Sequence, residues 1–378
     1  MRIEKILITG GAGFIGSALS LHLIEKGYKV NVLDNLSEQI HGKNTSDSPL
    51  YKTIKDKVNF IHGTVTSKTD WLKAIQDCDA IVHLAAETGT GQSMYKINDY
   101  VSVNIGGTAL MLDILTNEKH KIKKVIIASS RAIYGEGKYV DEAGNFVYPE
   151  SRSDEDLLQG KFEPTYKNAV NLKLVATDED SVIHPTSVYG ITKQNQEQMV
   201  MTVCSALGID ATAFRYQNVY GPGQSLRNPY TGILSIFSSL INSGKEVNIF
   251  EDGKESRDFV FISDVVAATT LGIENDNARG QVFNVGSGVA TTVLQVAQTL
   301  CKHYEKMVPL KITGNYRLGD IRHNYADISK IKSILGFIPL VHFEEGIRQF
   351  ADWVKQQEVN ASGYELSLEE MRSKGLLK

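Results

Sequence analysis

Cysteine is scarce. There are three in 378 residues, Cys78, Cys204 and Cys301, too far apart to show any paired spacing. That argues against a disulfide framework or a zinc site, and such residues are expected as small buried hydrophobes. Neither sign of charge is in excess, with 40 Lys and Arg against 44 Asp and Glu. No basic stripe appears, so nucleic acid is not an expected partner. No apolar run approaches the roughly 18 residues of a membrane-spanning helix, and no leader with a basic and an apolar region precedes the first strand-like run. The expectation is a soluble, cytoplasmic protein with no membrane partner. Internal repeats and long low-complexity stretches are also missing. Hydrophobic residues are plentiful, at 42%, enough for a large core and for more than one domain.

The first half alternates short apolar runs with amphipathic stretches. Strand-like runs rich in Ile and Val occur at Lys5–Thr9, Lys29–Leu33, Val58–His62, Ala80–Leu84, Lys124–Ser129 and Asp210–Arg215. They lack polar alternation, as strands covered on both faces do. Helical stretches lie near Phe14–Lys26, Thr69–Gln76, Asn98–Asn117 and Ser187–Leu207. This alternation predicts an α/β fold, a Rossmann-type doubly wound parallel sheet over residues 1–215. After Asn218 loop signals multiply, with helical stretches near Thr231–Ser243, Ser263–Glu274, Thr291–Tyr304 and Phe343–Gln356 and a strand-like run at Gln281–Val285. A smaller mixed α/β C-terminal substrate lobe is expected over 216–355, with some segments returning to the first sheet. Residues 356–378 read as a peripheral tail.

The first strand runs into Gly10-Gly11-Ala12-Gly13-Phe14-Ile15-Gly16 and then a helix. Gly10 permits the tight turn, Gly13 lets the backbone approach a pyrophosphate, and Gly16 lets helix and strand pack closely. The helix N-terminus offers free N–H groups and its dipole to the anion. Asp34 ends the second strand, where a carboxylate accepts hydrogen bonds from ribose hydroxyls and repels a 2′-phosphate. No arginine follows in Asn35-Leu36-Ser37-Glu38, so NAD is favoured over NADP.

Tyr189 and Lys193 share a helix face at i and i+4. A free tyrosine titrates near pH 10. A cation about 4 Å away at an intermediate dielectric supplies roughly 4 kcal/mol, about three pKa units. That is the shift a phenol needs to act as a base near neutrality. Ser130 lies just past the fifth strand, at the carboxyl end where such sheets place ligands.

These residues, together with His83-Leu84-Ala85-Ala86, Asn104, Ile133-Tyr134-Gly135, Arg215–Pro222, Arg257-Asp258-Phe259 and Asn284-Val285-Gly286, resemble the extended short-chain dehydrogenase/reductase family. The resemblance covers about residues 1–355. It implies that Tyr189 is the base, Lys193 lowers its pKa and holds the nicotinamide ribose, and Ser130 orients the substrate hydroxyl. Phe14, Ile15, Asn35, Thr64, Val65, Leu84, Ala85, Ala86 and Asn104 join the expected cofactor set. Thr64 stands where many members carry an Asp against adenine. No metal ligand set is expected. The resemblance further implies a homodimer, formed through helices near Asn98–Asn117 and Ser187–Leu207.

Dehydratases of this family carry Asp-Glu directly after the Ser or Thr, and here Arg131-Ala132 stand there. The Glu usual in the decarboxylases and the Cys of the 3,5-epimerases are missing as well. The pattern that remains is the nucleotide-sugar 4-epimerase. The runs Glu87–Ser93, Ser130–Gly137 and Gln224–Gly232 resemble the subgroup acting on dTDP-L-rhamnose. A 4-ketoreductase consuming NAD(P)H is the alternative, and a non-catalytic NAD-binding protein a more distant one. Expected substrate ligands are Thr88, Ser130, Arg131, Asn218, Gln224, Phe250, Arg257, Arg317, Asp320 and Arg322, the arginines because their forks bind phosphate oxygens bidentately. Ser130 and Tyr189 are 59 positions apart, roughly twice the separation in ordinary 4-epimerases. An insertion around 137–182 is therefore expected above the site, as a lid or a contact surface.

Overall fold

The computed structural model describes residues 3–167, 169, 171–226, 228, 232–357 and 362–378. Seven strands form one sheet: Lys5–Thr9 (β1), Lys29–Asp34 (β2), Asn59–His62 (β3), Ala80–His83 (β4), Lys124–Ser130 (β5), Asp210–Tyr216 (β6) and Gln281–Val285 (β7). They pair in the order β7-β6-β5-β4-β1-β2-β3, every neighbour parallel. Ile6, Leu7, Ile8, Val125, Ile126 and Ile127 are wholly buried, because helices cover both faces. Phe14–Glu25 and Ile262–Glu274 pack together on one face, and Gly107–Asn117 and Val188–Leu207 on the other. β7 is the segment that returns to the sheet from the C-terminal half. Strand order reverses at β1, flanked by β2 and β4, and a crevice opens there at the carboxyl ends of the strands.

The C-terminal lobe holds a mixed sheet of Asn218–Tyr220, Ser256–Phe261, Ala290–Thr292 and His323–Asn324, and a parallel pair of Val247–Ile249 with Leu310–Ile312. The helix expected from Thr291 begins at Val293, because Ala290–Thr292 pair with Ser256–Asp258 and Thr292 forms a capping box with Gln295. The helical stretch around Asn98–Asn117 is interrupted by a π turn at Val101–Gly106. Cys78 and Cys204 are buried and free, as expected. No helix among the described residues is long and apolar enough to cross a membrane.

Two expectations concern the periphery. The 137–182 insertion forms a three-stranded sheet of Tyr139–Val140, Phe146–Val147 and Lys173–Leu174 and a short helix, Asp154–Leu158. None of its described residues lines the crevice, so of the two roles expected for it, lid or contact surface, the described residues give the lid no support. The tail is not peripheral: Ser362–Ser373 is a helix, and Tyr364, Leu368 and Met371 line the crevice.

His83, at the end of β4, is 1% exposed. Its Nδ1 lies 2.7 Å from the Thr9 hydroxyl and its Nε2 3.0 Å from the Thr108 hydroxyl. Burial, helped by the Lys193 charge, lowers its pKa to about 3. The folded value is below the unfolded one, so the unfolded chain binds the extra proton and stability falls as pH drops from 6.5 toward 3. At pH 4.5 this one residue should cost about 2–3 kcal/mol. Urea unfolding of His83→Gln at a series of pH values should show a smaller loss between pH 6.5 and 4.5 than in the unsubstituted protein.

Candidate functional site

The crevice has a volume of about 580 Å³. Gly10, Gly13, Phe14, Ile15 and Gly16 line one end of it. Gly10 takes φ +65°, and a Cβ on it would stand 2.9 Å from the Ala85 backbone; a Cβ on Gly16 would overlap the Gly10 carbonyl. The helix starting at Phe14 has no side-chain cap, which leaves its first N–H groups to an anion. The Asp34 carboxylate accepts from Ala12 N–H at 2.9 Å and Leu36 N–H at 2.8 Å, so it braces the loop as well as facing the crevice. Asn35, Thr64, Val65, Leu84, Ala85 and Ala86 also line this end, as does His41, which sequence reasoning missed. The cationic side chains of the crevice, Arg131, Lys193, Arg257 and Arg317, are not in the loops after β2 and β3. A glycine cradle with a carboxylate and, among the described residues, no Lys or Arg beside it fits NAD, whose adenosine ribose carries no 2′-phosphate.

Asn104 is the exception in the expected cofactor set. It is fully buried and does not line the crevice. Its amide accepts from Glu87 N–H at 2.7 Å and donates to Glu87 O and to the Thr192 hydroxyl. It ties the π turn to the Glu87 loop and the Val188–Leu207 helix.

Ser130, Tyr189 and Lys193 come together at the centre. Ser187 caps the helix, accepting from Gly190 N–H. A Cβ on Gly190 would stand 2.5 Å from the Ala132 carbonyl, so only glycine lets the helix approach the end of β5 this closely. The Tyr189 N–H donates to the Ser93 hydroxyl at 3.0 Å, and the Tyr100 ring stands edge-on to Tyr189 with centroids 6.4 Å apart. Ser130 hydrogen-bonds the Tyr189 phenol. Burial raises the phenol's pKa, against the opposing effects of Ser130 and the Arg131 charge. Lys193 Nζ donates to Ala128 O at 2.9 Å, and burial lowers its pKa to about 7. Arg131 is thus a cation acting on the phenol that the Tyr-Lys spacing did not reveal.

Arg131 Nε donates to Asn218 Oδ1 at 2.6 Å. Its pKa falls to about 9, chiefly through burial and then through the like charge of Arg257, against weaker attraction from Asp320, Tyr189 and Glu136. Arg257 is held by the carbonyls of Ser256, Ile321 and Arg322 at 2.6–2.9 Å. Thr88 and Gln224 also line the crevice; of the loop after Gln224, residues 227 and 229–231 lie outside the described residues. At the far end, the Arg317 guanidinium stands 5.5 Å from the Phe250 ring centroid and pairs with Asp320 at 2.9 Å.

Arg322, expected as a substrate ligand, lies elsewhere. It is fully buried behind the crevice wall, bound to Glu163, Glu251 and Asp252 at 2.6–3.0 Å with Glu255 at 3.7 Å. From the insertion, Arg152 joins this knot through Glu136 and Glu251.

The fold and this centre define a dinucleotide-dependent oxidoreductive enzyme of the Ser-Tyr-Lys type. The chain belongs to the NAD dependent epimerase/dehydratase family, whose sequence profile matches residues 6–286, and its cofactor is NAD. It is 36% identical over 356 residues to a dTDP-L-rhamnose 4-epimerase of Burkholderia thailandensis, covering 94% of this chain and 96% of that one. It is 28% identical to a UDP-N-acetyl-alpha-D-glucosaminuronate decarboxylase of Bacillus cytotoxicus, covering 94% and 99%. Among solved structures it resembles the UDP-glucuronic acid 4-epimerase of Bacillus cereus in complex with UDP-glucuronic acid and NAD, with a TM-score of 0.75, 28% identity and coverage of 93% and 99%.

Asp34→Ala should lower retained NAD by roughly tenfold or more, removing contacts of the size of a charged hydrogen bond or larger, and Gly16→Val, by forcing the Gly10 turn out of place, should lower both retained NAD and the melting temperature. NAD content per subunit after denaturation, beside the thermal melt, measures both.

Proposed function

We propose that the protein is a nucleotide-sugar 4-epimerase acting on a dTDP-6-deoxyhexose such as dTDP-L-rhamnose, with NAD retained between turnovers. The observation that carries this reading is the pair Arg131 and Arg257. Arg131, beside the Ser130–Tyr189 pair, feels the like charge of Arg257, which lines the same crevice, and a diphosphate would supply the missing negative charge. The residues after Ser130 support epimerisation over elimination. Arg131 turns to Asn218, and Ala132 is packed beneath Gly190, so neither offers a carboxyl group to the substrate.

NAD, held by the glycine turn and Asp34, would supply both the hydride acceptor and the hydride donor. Tyr189 takes the proton of the C4 hydroxyl while Ser130 holds that oxygen. Arg131, with Ser130, favours the phenolate that proton transfer requires. The expected effect of Lys193 on the phenol is not among those acting on it, and the part proposed for Lys193 is to hold the nicotinamide ribose. Arg131 and Arg257 would hold the diphosphate about which the 4-keto sugar turns, and Tyr189 would return the proton to the C4 oxygen. We further propose a homodimer: Ile97, Val101, Ile191 and Leu207 leave apolar surface on the two helical segments at 38–51% exposure, an arrangement that suits packing against a second copy.

Purified protein given dTDP-L-rhamnose and no added cofactor should produce the C4 epimer, detected by NMR of the anomeric protons. A requirement for stoichiometric reduced cofactor would instead indicate a 4-ketoreductase. Tyr189→Phe should lower kcat by about 10²–10⁴-fold while keeping NAD. Arg131→Gln removes a charge that holds the phenol's pKa down, so the rising limb of its pH–kcat/KM profile should move to higher pH.

A further inference from the structure

We infer that the helix Ser362–Ser373 is one wall of a nucleobase site. This inference rests on the nucleotide-sugar reading above and names the part of that ligand the helix holds.

The crevice forms a continuous line of contacts leading away from the reacting pair. Arg131 follows Ser130 and feels the charges of Arg257 and Asp320. Asp320 pairs with Arg317, and Arg317 lies over the face of Phe250. Tyr364, Leu368 and Met371 line the same crevice and pack with Phe250 in one apolar cluster. Sugar chemistry belongs at Ser130 and phosphates beside the arginines. What remains beside Arg317 is a stretch of the crevice lined by the Phe250 ring, the guanidinium and the apolar side chains of the helix. A flat ring with apolar faces and a polar edge suits such a lining.

The helix is anchored rather than merely resting there. Leu376–Lys378 run antiparallel to Tyr316–Leu318, the segment that bears Arg317. Tyr316 N–H donates to Lys378 O at 2.9 Å, Lys378 N–H to Tyr316 O at 3.1 Å, and Leu318 N–H to Leu376 O at 3.0 Å. On the other flank the Tyr95 hydroxyl donates to Glu370 at 3.0 Å. Tyr364, Leu368 and Met371 recur at i, i+4 and i+7, one face of a helix.

The test is titration calorimetry of dTDP and UDP into the NAD-containing protein. Tyr364→Ala/Leu368→Ala/Met371→Ala should weaken both nucleotides by roughly tenfold or more with NAD content unchanged. The outward-facing pair Glu369→Ala/Arg372→Ala should bind like the unsubstituted protein. Undiminished affinity in the triple variant overturns the inference. Should that variant lose NAD or fold as well, hydrogen exchange on the unsubstituted protein decides: dTDP should slow exchange across 362–373, and unchanged exchange overturns the inference. Failure of the unsubstituted protein to bind either nucleotide refutes the nucleotide-sugar reading itself. Binding without a response from the helix refutes only the wall.

Discussion

The close seating of the Val188–Leu207 helix against the end of β5 is the contact on which the centre depends. Gly190 lies so near the Ala132 carbonyl that a methyl group there would force the two apart. The Ser187 cap and the bond from Tyr189 N–H to Ser93 fix the first turn of the helix. Lys193, one turn further on, is tied to the Ala128 carbonyl of the same strand. One packing contact therefore sets the phenol, the ammonium and the Ser130 hydroxyl relative to one another. A displacement of about 1 Å at such a centre is enough to cost 10²-fold in rate, so Gly190 has positional weight although it touches no reacting atom.

The second constraint is how charge is distributed around the crevice wall. Arg322 and Arg152 lie behind it and are matched by Glu136, Glu163, Glu251, Asp252 and Glu255, of which Glu251 and Glu255 themselves line the crevice. In front of it, Arg257 is held mainly by carbonyl oxygens, two of them from Ile321 and Arg322. The knot fixes the backbone that aims Arg257, and two of its carboxyl groups, Glu136 and Glu255, feel the Arg257 charge. Buried ion pairs of this kind add little to stability against an apolar replacement; here they serve as geometry. The 137–182 insertion supplies Arg152 and Glu163 to the knot, so it reaches the site from behind, as a brace.

Much of this was legible in the sequence, and the parts that were not share a reason. The seven strands and the glycine turn depend on local facts: apolar runs buried on both faces, and steric limits on a few consecutive residues. Whether an arginine faces a ligand or a carboxylate depends on distant partners. Arg322 meets Glu163 and Glu251–Glu255, and nothing near position 322 announces them. Asn104 likewise spends its amide on the Glu87 loop and on Thr192. The last helix was obscured by its charged residues, although the 364, 368, 371 spacing was present as a signal. Strands of two residues, as in the insertion, leave no periodicity to read.

The residue after Ser130 links these constraints to the chemistry. Burial makes the Tyr189 phenolate costly, and only Ser130 and Arg131 are seen to offset that cost directly. A carboxylate in place of Arg131 would add its own repulsion to that of burial and push the phenol's pKa further up. Such a group suits a reaction in which a second acid or base removes water from a neighbouring carbon. It is a liability where one phenol must give up and regain its proton in every cycle, in both directions. A cation at this position serves the reversible case twice, by favouring the phenolate and by adding to the positive field in which a diphosphate would sit. Its like-charge conflict with Arg257 is the cost in the free protein, and an anionic ligand lying between the two would relieve it.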